Sequence, residues 1–416
     1  MMVRATMSPA ETTTNRRERF RQYMNRLTTG ATPMRAVTEG LYVPVPTGAS
    51  AVAEKLTARL DLEPTSSHLV VGGIGTGKST QLLVSVQRLR ELPDSLPLYI
   101  DVASHHDLNH LKSGVLIVIA GLALSEYLAQ QKTDVAKKAR EEFRTAAQGY
   151  SLWVDDDEAD YDDYGPSGRH FKVEGVLVPP DPPLDYTSAA RLKSVKVLIE
   201  AAREVSSRHN VVLLMDSLDR APNMDAFGTV IANDIRGLRE LGLGVVVVGP
   251  LRVLFGANRP LTDRFDHTYY VSPVDVANEA GPSFLKQVLL RRIPKDILAP
   301  EAADSLTHYS GGVIRDMLSL ARSAGEEAYV SGSNTIATDH VDRAVDAFGR
   351  SMMVGLDDAE MKTLQRVRKS GTFVSSSDKD IALLVTRRVL EYQNGRSRYD
   401  VHPTIAPLLE SLADSK

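Results

Sequence analysis

The sequence predicts an α/β protein: a mainly parallel sheet covered on both faces by helices, then an all-helical region and a small helix–hairpin domain. Three observations predict it. Apolar, β-rich runs alternate with amphipathic segments from residue 41 to 273. A glycine-rich stretch, VVGGIGTGKST at 70–80, sits between one such run and the next helix. After residue 274 the strand pattern stops and helical periodicity takes over until Asn394-Gly395, a pair that favours a tight hairpin turn.

Taken in order, residues 1–40 read as an N-terminal arm. TTTNRRERFRQYMNRL predicts a short basic helix capped by Thr14 or Asn15, with a solvated arm as its simplest role. Residues 41–273 form the core. HLVVGG is its first strand, and the segment from Ser79 to Leu92 places Leu82, Leu83, Val86, Leu89 and Leu92 on one helix face. LPLYIDV, NVVLLMD and LGVVVVG read as further strands, central because they are apolar on both faces. GVLIVIAGLALSEYLAQQ predicts a buried helix, and SAARLKSVKVLIEAAREVSSRH an amphipathic one. An acidic, then proline-rich stretch at 154–186 reads as a surface insertion without the spacing of a calcium loop. Residues 274–349 predict four helices of a lid. Residues 350–416 predict two helices, at 357–369 and 377–387, and a hairpin, which together spell a winged helix.

Composition narrows the function. The chain has 416 residues, enough for two or three domains, with 43% hydrophobic and 25% charged residues. Its net charge of −4 argues against wholesale polyanion binding. It has no cysteine, which excludes disulfides, thiolate metal sites and thiol nucleophiles. The N-terminus lacks the apolar segment of a leader, and the longest apolar run, 115–124, is too short to span a bilayer. A cytoplasmic protein without membrane contact is expected.

The chemistry starts at the glycine-rich stretch. Gly72, Gly77, Lys78 and Ser79 fit G-x-x-x-x-G-K-[ST]. Small residues let successive main-chain amides turn inward as an anion nest, so Gly72, Gly73, Ile74, Gly75, Thr76 and Gly77 are expected to wrap a phosphate chain. Lys78, Ser79 and Thr80 open the next helix, whose N-terminus favours anions. Lys78 offers a point charge to the β- and γ-phosphates, and the Ser79 hydroxyl a ligand to Mg²⁺. The expected ligand is ATP with Mg²⁺. Asp216, ending the strand NVVLLMD, is the candidate metal carboxylate, with Asp219 three residues on as a candidate to orient water. Ser217 stands where many such ATPases carry a glutamate, so hydrolysis at the β–γ phosphoanhydride is expected to be slow.

Together, the phosphate loop, LLMDSLDR, VVVVGPLR, GGVIRD and the terminal hairpin domain resemble AAA+/STAND-type P-loop ATPases. The initiator branch shares the order of core, helical lid and winged helix, while DSLD is closer to the STAND pattern. The resemblance covers about 41–411. It implies a three-layer αβα core, Arg315 as a lid arginine reading the γ-phosphate, Arg252 as a post-strand sensor and Arg264 as a finger reaching a neighbouring subunit. It also implies an apolar adenine wall from Val43 and Val45. Gly249-Pro250 departs from the polar strand end usual in AAA+ proteins.

Asp378 and Asp380 on the second helix of the terminal domain would face DNA phosphates badly, while Arg387, Arg388, Arg396 and Arg398 make a modest basic wing. His402 reads as a structural histidine. The expected function is an ATP-driven switch acting through homo-oligomerisation or a separate effector. A DNA-binding initiator or loader is the alternative, and a small-molecule phosphotransferase a second one.

Overall fold

The computed structural model describes residues 9–30, 32–45, 52–146, 184–294, 296–394 and 396–414. The insertion at 154–186 lies outside them except for its last three residues, and so does Gly395. The chain forms two compact units: Met1–Val52, Gly72–Leu83 and Tyr270–Lys416 make one, and Ala53–Val71 with Val84–Tyr269 the other.

A five-stranded sheet, all but the ends of β1 and β5 in the second unit, consists of β1 (Ser67–Gly72), β2 (Ser95–Asp101), β3 (Asn210–Asp216), β4 (Gly244–Val248) and β5 (His267–Val271), in the order β2-β3-β4-β1-β5. The pairs β2–β3, β3–β4 and β4–β1 are parallel. This is the parallel α/β fold the alternation predicts. Val70, Leu213, Leu214, Val245 and Val247 are wholly buried, as strands covered on both faces require. Each such side chain contributes about 1.5–3 kcal/mol by leaving water.

The helix Val115–Ala129 is apolar on all sides and buried. Gly121 meets the Phe143 ring so closely that a Cβ would lie 2.2 Å from it. Its amino end carries amides with no partner inside the helix. Asp234, fully buried, supplies acceptors to them: the Gly114 and Leu116 amides donate to its carboxylate at 2.7 and 2.9 Å. Sequence periodicity missed this cap, because Asp234 lies in a π-helical turn, Ile231–Ile235, more than a hundred residues away. Burial pushes the Asp234 carboxyl up to about 6, against the pull of those amides. The folded state therefore holds this proton more tightly than the unfolded chain does, and stability falls as pH rises from about 4 to above 6. Relative to Asp234→Asn, the wild type is expected to lose ~3 kcal/mol across that interval. Urea unfolding followed by circular dichroism at both ends of the interval checks the slope; an unchanged difference would show that the carboxyl titrates normally.

The first unit packs four lid helices, Ala280–Leu290, Pro300–Tyr309, Ile314–Val330 and Thr338–Met353, round a core that includes Phe284, Leu306, Met317, Leu320 and Val341. The predicted arm is a 22-residue helix, Pro9–Gly30, so Thr14 and Asn15 lie inside it rather than capping it. It is not a solvated arm: Phe20, Tyr23 and Leu27 are buried in the lid core. The Tyr23 hydroxyl donates to the Ala321 carbonyl at 2.7 Å, and Gly325 leaves room for its ring. Arg16 donates to the carbonyls of Ala328, Tyr329 and Ser333, closing the end of the helix Ile314–Val330.

C-terminal to the lid come the helices Asp358–Ser370 and Asp378–Val385 and the antiparallel pair β6 (Val389–Asn394) and β7 (Arg396–Val401). An Asp357–Glu360 capping box starts the first helix and Gly371, with φ +65°, ends it. Asp380 does not face outward: it is buried and accepts from the Ser376 amide and from the Ser376 and Ser377 hydroxyls, fixing the start of the second helix. Among the described residues, no helix is long and apolar enough to cross a membrane.

Candidate functional site

Within the first unit the chain leaves Gly72 and turns through residues 73–77 into the helix Lys78–Glu91. The turn is stabilised from inside. The Thr76 hydroxyl donates to the Gly73 carbonyl at 2.9 Å, and the buried Lys78 ammonium donates to the carbonyls of Gly72 and Gly73 at 3.0 and 2.9 Å. Gly75 and Gly77 carry φ of +85° and +104°, open to glycine at little cost. Gly75 has a second constraint, since a Cβ there would lie 2.6 Å from the Arg315 Cβ. The loop carbonyls are tied to Lys78 and Thr76, and the first amides of a helix have no acceptor within the helix itself. That is the arrangement that binds phosphate. Ser79 and Thr80 are half-buried in the first turn, and Ile74 is exposed at the tip.

Arg315 comes to this loop from the first turn of the helix Ile314–Val330. It is exposed, and its amide donates to the Gly75 carbonyl at 3.3 Å. Sequence separation of 240 residues is thus closed within one compact unit.

Beside the loop lies a mostly apolar pocket. Val43 and Val45 line it together with Val274, Phe284, Val288 and Ile314, while Thr76, Gly77, Thr80 and Gln81 supply the polar side. Phe284, Val288 and Ile314 gave no sequence signal of this role, because lid periodicity explains them equally well as core. The segment carrying Val43 is anchored by its carbonyls: Arg291 donates to Tyr42 at 2.5 Å, and Arg292 to Leu41 at 3.1 Å. Burial and the neighbouring Arg291 pull Arg292 down to about 10, still charged at neutral pH.

Asp216, Asp219, Arg252 and Arg264 belong to the second unit. Asp216 ends β3 and is 2% exposed. The Tyr99 hydroxyl donates to its Oδ2 at 2.7 Å and the Ser217 amide to its Oδ1 at 2.7 Å. Burial, then the Asp216 carboxylate, push the Tyr99 phenol far up, so it stays a donor. Ser217 has φ +72°, a left-handed turn that aims the chain into the short helix Leu218–Arg220 carrying the half-buried Asp219. Sequence reading missed a second carboxylate here. Asp101 ends β2 directly opposite Asp216 in the sheet register, and its Oδ1 is buried with no hydrogen-bond partner among the described residues. Two such carboxylates suit a hard cation held partly through water. Among the described residues no group of three or more His, Asp or Glu is placed to hold a metal unaided.

Arg252 is half-buried on the turn Leu251–Leu254. The departure at Gly249 has a packing cause: a Cβ there would lie 2.7 Å from Leu69 and 3.1 Å from Phe227. Arg264 is exposed at the end of the segment Gly256–Arg264, beside a cleft lined by Arg236, Arg239, Glu240 and Asp263. Asp266 is taken by Arg239 at 2.7 Å and by Ser67, and among the described residues Arg264 makes no ion pair.

The basic wing is largely spent inside the first unit. Arg387 pairs with buried Asp316, Arg398 with Asp275 at 2.8 Å, and Arg388 donates to the carbonyls of Met352 and Val354. The Arg396 side chain lies outside the described residues. His402 is wholly buried, with Nδ1 2.8 Å from the Thr404 hydroxyl.

No family profile matches the sequence. No curated protein matches it either. Among solved structures the chain is similar to the ORC2 protein of Aeropyrum pernix, solved as ADPNP–ADP complexes, at 12% identity and a TM-score of 0.44, over 90% of this chain and 95% of that one. It is similar to the Cdc6p protein of Pyrobaculum aerophilum at 13% identity and a TM-score of 0.41, over 90% and 98% of the two chains. It is also similar to the RuvB Holliday junction branch migration motor of Thermotoga maritima at 13% identity and a TM-score of 0.39, over 89% and 98%.

Proposed function

We propose that this protein binds ATP with Mg²⁺ at the loop 72–80 and acts as a nucleotide-held switch. The triphosphate lies on the loop amides and Lys78, the base enters the pocket walled by Val43 and Val45, and Arg315 contacts the γ-phosphate. We assign Ser79 and Asp216 to Mg²⁺, and Asp219 to orienting water for slow hydrolysis. Mg²⁺, when bound, neutralises charge building on the β- and γ-oxygens. Arg252 is assigned as a sensor, and Arg264, exposed and without an ion pair among the described residues, as the group offered to a second copy of the chain.

One observation carries this reading: a lid arginine, a glycine turn stabilised by its own lysine and an apolar pocket meet in one compact unit. A partner protein or further copies of the chain suit the terminal domain better than duplex DNA, because Arg387, Arg388 and Arg398 are engaged internally. The test has two parts. Calorimetric titration with ATP and Mg²⁺ is expected to show one site, and light scattering is expected to show a nucleotide-dependent change in mass. No binding at millimolar ATP ends the reading; binding without any change in mass removes the oligomeric part of it.

A further inference from the structure

The seven residues 310–316 of the first unit have neighbours on two sides. One side meets the phosphate loop: the Arg315 amide donates to the Gly75 carbonyl, and a Cβ on Gly77 would lie 3.8 Å from Ile314 Cδ1. The other side meets the C-terminal hairpin. The Tyr392 hydroxyl donates to the Gly311 carbonyl at 2.9 Å, and a Cβ on Gly311 would lie 2.4 Å from Leu390 Cδ1. The residue next to Arg315 belongs to this second side. Asp316 is 2% exposed, and the Arg387 guanidinium grips it as a fork, Nε to Oδ2 at 2.8 Å and Nη2 to Oδ1 at 3.0 Å. His402 Nε2 stands 3.5 Å from Oδ2, an ion-pair distance. Arg387 has φ +62°, the left-handed position just past the end of the helix Asp378–Val385, where its amide donates to the Leu384 carbonyl at 3.1 Å.

We infer that Arg387 is a positioning residue for Arg315. By fixing Asp316 it fixes the first turn of the helix Ile314–Val330, and with it the direction from which Arg315 meets a γ-phosphate on the loop. The inference rests on the reading of Arg315 as the γ-phosphate contact. It makes the C-terminal hairpin domain part of the apparatus that tells ATP from ADP, although no hairpin residue is assigned to the nucleotide itself. Coupling of this kind is reciprocal, so a bound γ-phosphate strengthens the Asp316–Arg387 contact by the factor that the contact adds to ATP affinity.

The test compares ATP and ADP affinities of the full chain, with Mg²⁺, for wild type, Arg315→Ala, Arg387→Gln and the double variant. Arg387→Gln is expected to weaken ATP about five- to tenfold while ADP stays within about twofold. In the Arg315→Ala background, Arg387→Gln is expected to leave the ATP-to-ADP ratio unchanged, the mark of residues acting through one another. Arg398→Gln, which cuts a separate hairpin contact to Asp275, is expected to leave the ratio at the wild-type value. Equal weakening of both nucleotides by Arg387→Gln, or its full effect persisting without Arg315, would overturn the inference and leave a bridge that only holds the fold. Should Arg387→Gln not fold, Asp316→Asn carries the same expectation and the same overturning result. A wild type that binds neither nucleotide brings down the site reading as a whole. A wild type that binds both, with a ratio indifferent to Arg315→Ala, brings down the role of Arg315 alone.

Discussion

Lys78→Ala is expected to weaken ATP binding roughly 10- to 100-fold, about 1.5–3 kcal/mol, the scale of one lost hydrogen bond to a charged group. Two effects lie behind the number. The ammonium is the point charge that would meet the β- and γ-phosphates, and a methyl group replaces it with nothing. Its bonds to the Gly72 and Gly73 carbonyls also hold the turn, so the variant loses order in the loop before any ligand arrives. Thermal unfolding separates the two contributions, since the second weakens the free protein as well. Titration calorimetry with ATP, run against ADP and inorganic triphosphate, is the measurement. An affinity equal to wild type for all three would mean that phosphate does not bind at this turn.

Asp216→Asn is expected to lower ATP turnover roughly 100- to 1,000-fold, or ~2.7–4 kcal/mol of barrier, as when one preorganised electrostatic group is lost. The amide keeps the volume of the side chain; its oxygen can accept from the Ser217 amide while its NH2 donates to the Tyr99 hydroxyl oxygen, so the fold at the end of β3 should survive. What disappears is the negative charge that would hold the cation. The sharper readout is therefore the Mg²⁺ dependence of ATP affinity, which should flatten in the variant even if wild-type turnover is slow. Phosphate release and ATP affinity, each measured across a Mg²⁺ series, give both. A variant with wild-type turnover and wild-type Mg²⁺ dependence would remove Asp216 from the metal role. Asp101→Asn is the natural companion, because that carboxylate shares the sheet edge and its Oδ1 has no partner among the described residues.

Strands β1, β2, β3 and β4 and the four lid helices were legible because each satisfies a local rule. The strands are apolar on both faces, and Gly311-Gly312 breaks the helical pattern before Ile314. The loop was legible for the same reason, since its backbone torsions demand glycine at fixed spacing. The N-terminal helix was misread because its polarity is high on average. Among the described residues Phe20, Tyr23 and Leu27 are the buried ones of this helix, and they need the helix Ile314–Val330 as a partner to show it.

By itself, then, the sequence determined where phosphate is expected to sit, four of the five strands of the sheet and the helices that follow them, because torsional preference and burial periodicity act over a few residues; the fifth strand, His267–Val271, it did not reveal. Tertiary structure decided what the charged groups do. It placed Arg315 against Gly75, spent Arg387 on Asp316, gave Asp234 to a helix end 120 residues away and set Asp101 beside Asp216. Those outcomes depend on which carboxylates and carbonyls lie within about 3 Å, the range over which hydrogen bonds act, and that proximity comes from packing between segments far apart in the chain.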